Sequence, residues 1–168
     1  MENRTIAVIG ATGAQGKGVV SALVKDGSFK VRAITRNPDK YAGEAHEVVQ
    51  ADLRDPASLK RAFSNAHGVF VVTNFWEGAD ELTQGKTAVQ AAKDAGVEHF
   101  IWSTLPNVEK ITDGRFQVPH FTGKAAVDAF VKNAGFKYST FVQAPFYFQN
   151  LTGMMGAQPQ QDGSIGWT

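Results

Sequence analysis

The sequence predicts an α/β fold, a doubly wound and mostly parallel sheet with helices on both faces. Three observations predict it. Short apolar runs alternate with segments whose apolar residues recur every three or four positions, from the first residues onward. The first run, residues 6–9, is apolar throughout, as in a strand covered on both faces. It leads straight into a glycine-rich turn, residues 10–16, and then into a helical pattern.

Each element follows in order. Val20, Leu23 and Val24 carry the first helix to a stop at Gly27. Residues 31–35 form the second strand, and Val48 and Val49 mark a weak third. Asp55 is placed to cap a helix with Pro56 in its first turn, and Leu59, Ala62 and Phe63 give that helix its apolar stripe. Residues 69–72 form the fourth strand. Leu82, Gly85, Ala88, Val89 and Ala92 then mark a long amphipathic helix ended by Gly96. Residues 100–102 form the fifth strand. Residues 105–118 lack a period, contain Asp113-Gly114 and are expected as a loop. Pro119 opens a helix running to about Asn133, with Gly135 beyond it as the stop. Residues 138–142 form the sixth strand.

Composition limits the function classes. A chain of 168 residues suits one domain with a real core. A net charge of +1 supplies no field for direct nucleic-acid binding or an anionic membrane. Cysteine is absent, which removes disulfides, thiolate metal sites and thiol nucleophiles. His46, His67 and His99 stand alone, so no metal site is expected. No apolar run approaches a bilayer span, and the polar start has no signal-peptide pattern. The expected location is cytoplasmic.

The stretch Gly10-Ala11-Thr12-Gly13-Ala14-Gln15-Gly16 fits G-x-x-G-x-x-G between a buried strand and a helix. Gly10 lets the chain turn sharply, Gly13 lets backbone approach a pyrophosphate, and Gly16 lets the helix pack closely. Free amides and the positive dipole end of the helix then hold the anion. Thr12, Ala14 and Gln15 are counted with the three glycines as cofactor-binding. About 20 residues on, where an NAD site places an acid, stands Thr35-Arg36-Asn37. Arg36 is suited to pair with the 2′-phosphate of NADP, a contact that contributes about 1.5–3 kcal/mol. Lys40 adds positive field. NADPH is therefore expected to be preferred over NADH.

Taken with that turn, Ile34-Thr35-Arg36-Asn37-Pro38, Val72-Thr73-Asn74-Phe75-Trp76-Glu77 and the run Pro145-Phe146-Tyr147-Phe148-Gln149-Asn150-Leu151 resemble the NmrA-like family. This is an atypical branch of the short-chain dehydrogenases/reductases, and the likeness is strongest to its redox-sensing members. It implies an NADP-binding Rossmann fold in a regulator that senses the NADPH/NADP balance. The implied partner is a protein such as a transcription regulator; a homodimer is a further candidate assembly. Related reductase-like members transfer hydride, so an NADPH-dependent oxidoreductase of a quinone or small carbonyl is the alternative. By the resemblance Asp52 and Leu53 flank the adenine, and Thr73, Asn74 and Phe75 line the sugar and phosphate side. Lys124 approaches the nicotinamide ribose and Tyr147 the ring. Family members continue into a substrate-binding lobe, so residues 1–168 are expected to form one dinucleotide-binding domain without most of that lobe.

Active short-chain dehydrogenases carry a tyrosine and a lysine four residues apart on one helix. The matching pair here is His120 and Lys124, on one helix face. They are the candidate catalytic residues, and histidine is a poor copy of the tyrosine. Ser103 and Thr104, just past the fifth strand, are placed to meet a ligand oxygen. Phe141, Phe146, Tyr147 and Phe148 are expected in the core or a pocket wall. Phe75 and Trp76 are expected at the cleft mouth, and Met154 and Met155 on an adhesive patch.

Overall fold

The computed structural model describes residues 4–78, 80–152 and 156–167. Its main sheet has six strands, all parallel, in the order β3-β2-β1-β4-β5-β6. The strands are β1 (Arg4–Ile9), β2 (Phe29–Thr35), β3 (Glu47–Gln50), β4 (Gly68–Val71), β5 (His99–Thr104) and β6 (Tyr138–Gln143). The helices are α1 (Ala14–Asp26), α2 (Pro56–Phe63), α3 (Glu81–Asp94), α4 (Val108–Ile111) and α5 (Pro119–Asn133). A two-stranded antiparallel ribbon follows, β7 (Gln158–Pro159) with β8 (Ile165–Gly166). This is the doubly wound Rossmann arrangement.

Alternation along β1 sorts its side chains between two cores, because successive residues of a strand point to opposite faces. Ile6 and Val8 join Val31, Ala33 and Phe70 against Val20, Leu23 and Val24 of α1. Ala7 and Ile9 join Val69, Val71, Phe100 and Trp102 in a larger core. Leu59 and Phe63 of α2, Ala88 and Ala92 of α3, and Val127 and Val131 of α5 complete it. Both faces of β1 are thus apolar, which is why its sequence reads as a continuous run rather than a strict alternation. A Cβ built on Gly85 would lie 2.5 Å from Val127, so α3 and α5 approach closely at a bare backbone position.

Local signals set the boundaries. Asp55 accepts hydrogen bonds from the amides of Ala57 and Ser58 and starts α2. Gly27 closes α1 in the left-handed region at φ 73°. The expected loop at 105–118 is corrected in part. It contains α4, four residues long, whose start is held by the Asn107 side chain accepting from the Lys110 amide. One helical turn is too short to show a period, so capping alone announces it. The short 3₁₀ turns Pro38–Lys40 and Phe75–Glu77 are likewise invisible to periodicity. Met154 and Met155 lie outside the described residues. Among the described residues no helix is long and apolar enough to cross a membrane.

Candidate functional site

The chain reverses direction across the sheet at β1: β2 and β3 lie on one side of it, and β4, β5 and β6 on the other. Connections leave the neighbouring strand ends in opposite directions there, which opens a crevice. A cavity of about 1390 Å³ occupies that place. Every residue expected from the sequence to touch a cofactor or substrate lines it, from Gly10 and Gly16 to Arg36, Lys40, Asp52, Leu53, Thr73, Asn74, Phe75, His120, Lys124 and Tyr147.

Backbone builds one part of the cleft. Gly10 sits at φ 72°, and the Gly13 amide donates to its carbonyl at 2.9 Å. A Cβ on Gly16 would fall 2.1 Å from that same carbonyl oxygen. Gly16 therefore protects the turn itself as well as the packing of the helix. Gly13 is the N-cap of α1, so no side chain caps the helix, and its first turn holds no acid. The first-turn amides are left without intrahelical partners where Gly13, Ala14 and Gln15 line the cleft.

At the end of β2 the site is charged. Arg36 donates from its two terminal nitrogens to the Glu77 carboxylate, at 2.7 and 3.0 Å. Asn74 donates to Glu77 at 3.1 Å. The Arg36 hydrogen bond holds the Glu77 carboxyl below its ordinary value. Arg54 pairs with Asp52 at 2.7 Å and lowers the Asp52 carboxyl from 3.8 to about 2. Lys40 joins them on the rim.

The opposite part of the cleft is built from buried side chains. The Lys124 ammonium donates to the Thr73 carbonyl at 2.8 Å, the Thr73 hydroxyl at 2.8 Å and the Glu81 carboxylate at 2.7 Å. Its three hydrogens are thereby committed, and to reach a ribose it would have to release one of these acceptors. The Thr73 hydroxyl donates to the same Glu81 oxygen at 2.6 Å. Burial pushes the Lys124 ammonium below its ordinary value, against the upward pull of Glu81. The second Glu81 oxygen is buried without a hydrogen-bond partner among the described residues.

Gln15 organises the floor. Its carbonyl oxygen accepts from the Ser103 hydroxyl at 2.8 Å and from the Tyr147 hydroxyl at 3.0 Å. Burial raises the Tyr147 phenol above its ordinary value. Thr104 donates to Asp128 at 2.7 Å, while burial raises the Asp128 carboxyl. His120 packs among Phe75, Trp76 and Phe121, with ring centroids 5.7, 5.5 and 4.8 Å away. Trp76 is 78% exposed at the mouth. The expected C-terminal aromatic wall divides. Phe146 and Tyr147 line the cleft, Phe141 packs on the core, and Phe148 is exposed.

Arg54, Glu77 as a partner of Arg36, and Glu81 are not among the site residues expected from the sequence. Glu77 stands 41 residues from Arg36 and Glu81 stands 43 from Lys124, so no local spacing marks either pair. The only available signal was the position of Glu77, directly after the strand end and turn that line the cleft.

A model described as the NmrA-like family matches residues 2–168. An NmrA-like family domain-containing oxidoreductase of Aspergillus hancockii is 35% identical over 160 residues, 88% of this chain and 48% of its own length. The solved structure of NmrA, a negative transcriptional regulator, in complex with NAD superposes with a TM-score of 0.84. It is 28% identical and covers 99% of this chain and 54% of that one. The NADP complex of NmrA gives a TM-score of 0.81 at 27% identity, with the same coverage. The chain spans about half the length of the curated relatives it matches.

Proposed function

We propose, from the premise that the chain belongs to the NmrA-like family, that its cleft binds a nicotinamide dinucleotide and that the bound cofactor tunes its affinity for a protein partner. The observation carrying the cofactor reading is the uncapped start of α1 beside a turn in which Gly10 and Gly16 leave no room for a side chain. Bare amides with a positive dipole end suit a pyrophosphate. The cavity is large enough for a dinucleotide, and the NmrA complexes with NAD and NADP support the assignment.

In this reading the amides after Gly13 hold the pyrophosphate. Asp52 and Leu53 border the adenine, and Arg36 with Lys40 stands where a 2′-phosphate would lie, these two cations contributing toward NADP. Thr73, Asn74 and Phe75 border the sugars and phosphates, and Tyr147 lies toward the nicotinamide. When bound, such a cofactor supplies hydride exchange at its ring.

Regulation is favoured over turnover by the proton chemistry of the site. The lysine of the helix is committed to Glu81 and Thr73, histidine stands four residues before it, and Tyr147 has a raised pKa. The raised phenol makes Tyr147 a weaker proton donor, and Lys124 has no hydrogen free for a substrate oxygen. The effect on a partner requires that the partner fit the cofactor-bound and cofactor-free forms differently, and NmrA itself is described as a negative transcriptional regulator. The second reading, an NADPH-dependent oxidoreductase with His120 and Lys124 at the reacting end, is favoured by the oxidoreductase relatives.

Calorimetry with NADP⁺, NADPH, NAD⁺ and NADH tests the binding. Heat with a micromolar-range Kd for at least the NADP pair is expected, and no heat with any of the four overturns the reading. Steady NADPH oxidation with quinones and aldehydes separates the two roles. Turnover abolished by Lys124→Ala in a protein that stays folded favours the enzyme.

A further inference from the structure

We propose that Glu77 sets the cofactor selectivity of the cleft, because its carboxylate holds the terminal-nitrogen edge of Arg36, one of the two edges through which a guanidinium meets a 2′-phosphate. This inference rests on the dinucleotide reading and deepens it. A guanidinium binds carboxylate and phosphate alike through two parallel N–H donors. Here both terminal nitrogens of Arg36 already donate to Glu77.

Glu77 is held in place. It closes the Phe75–Glu77 turn, and Asn74, whose side chain accepts the Trp76 amide at the start of that turn, donates to it at 3.1 Å. The competing carboxylate is thus oriented by the wall of the cleft. A nucleotide phosphate meets it in position.

The surrounding charges sharpen the competition. The charged residues lining this end of the cavity are Arg36, Lys40, Arg54, Asp52 and Glu77, three cations and two carboxylates. Arg54 is engaged by Asp52 as Arg36 is by Glu77. A 2′-phosphate therefore meets two neutralised arginines and a carboxylate it repels. A 2′-hydroxyl finds an acceptor in the same Glu77, as ribose hydroxyls do in NAD sites. Arg36 and Glu77 thus pull selectivity in opposite directions, and the pair leaves the cleft able to accept both nucleotides.

The test is calorimetric titration of wild type, Glu77→Gln, Arg36→Ala and the double variant with NADP⁺ and NAD⁺. Glu77→Gln is expected to raise NADP⁺ affinity about three- to tenfold, the range of an exposed ion pair plus the lost repulsion. NAD⁺ affinity is expected to stay level or fall. With Arg36→Ala already present, the Glu77→Gln gain for NADP⁺ is expected to shrink below about twofold, since a coupled pair is not additive. An unchanged NADP⁺/NAD⁺ ratio in Glu77→Gln overturns this inference alone, and so does an equal gain for both nucleotides. Binding of neither nucleotide to any of the four proteins overturns it together with the dinucleotide reading.

Discussion

Lys124 and Arg36 each reach a carboxylate oxygen at 2.7 Å, one inside the protein and one on its rim. The Lys124 and Glu81 side chains are 11% and 2% exposed; those of Arg36 and Glu77 are 60% and 44% exposed. Equal length hides unequal energy. Water stabilises the separated Arg36 and Glu77 charges almost as well as the pair does, so the rim pair is worth roughly 0.2–1 kcal/mol. Lys124 and Glu81 are largely shielded from water, and removing one partner strands the other. The inner pair is built to stay closed and the outer one to be exchanged for a ligand.

That contrast can be broken from either side. The largest expected effect is Lys124→Ala, which leaves Glu81 buried and unpaired and lowers stability by about 3–5 kcal/mol in a urea melt. Replacing both members together, Lys124→Met with Glu81→Leu, is expected to recover most of the loss. If Lys124→Ala melts like wild type, the interior pair is not what the geometry says.

Gly16→Ala comes next. Its Cβ would sit 2.1 Å from the Gly10 carbonyl oxygen, so the turn must shift. A loss of about 1–3 kcal/mol is expected, with weaker nucleotide binding by calorimetry.

The smallest effect belongs to the rim and is read through pH. Arg54 holds the Asp52 carboxyl at about 2 in the folded protein, against 3.8 for the ordinary group. A depressed acid stabilises the fold above its ordinary value and loses that contribution as pH falls through the folded one. The pair is solvent-screened, so the contribution is under about 1 kcal/mol. Asp52→Asn should therefore melt slightly below wild type at neutral pH. The gap should close as the pH falls from 3.8 toward 2, and a gap that widens there would contradict the assignment.

The same contrast explains what the sequence disclosed. The sheet and the glycine turn were legible because their causes are local: β1 alternates between two apolar faces, and Gly10 and Gly16 answer to each other six residues apart. Lys124 was visible as a candidate because it shares a helix turn with His120. Its partner Glu81 was not, since an acid in the first turn of α3 reads as ordinary helix chemistry and its burial depends on how α3 meets α5. Arg36 was placed correctly at the strand end, yet its occupation by Glu77 depends on a turn from another part of the chain. Gln15 was legible only as a cofactor-binding member of the glycine turn. Its acceptance of both Ser103 and Tyr147 needs three segments brought together by the fold.

Gly85 follows Glu81 by one helical turn on α3, and Val127 follows Lys124 by about one turn on α5. The missing side chain therefore acts as a spacer of zero thickness between two rods, set just beyond the ionic clasp. A methyl there would press the rods apart by about 1 Å, the shortfall from ordinary carbon contact, and strain the clasp one turn away. Close steric fit at a glycine thus governs an electrostatic bond that it never touches.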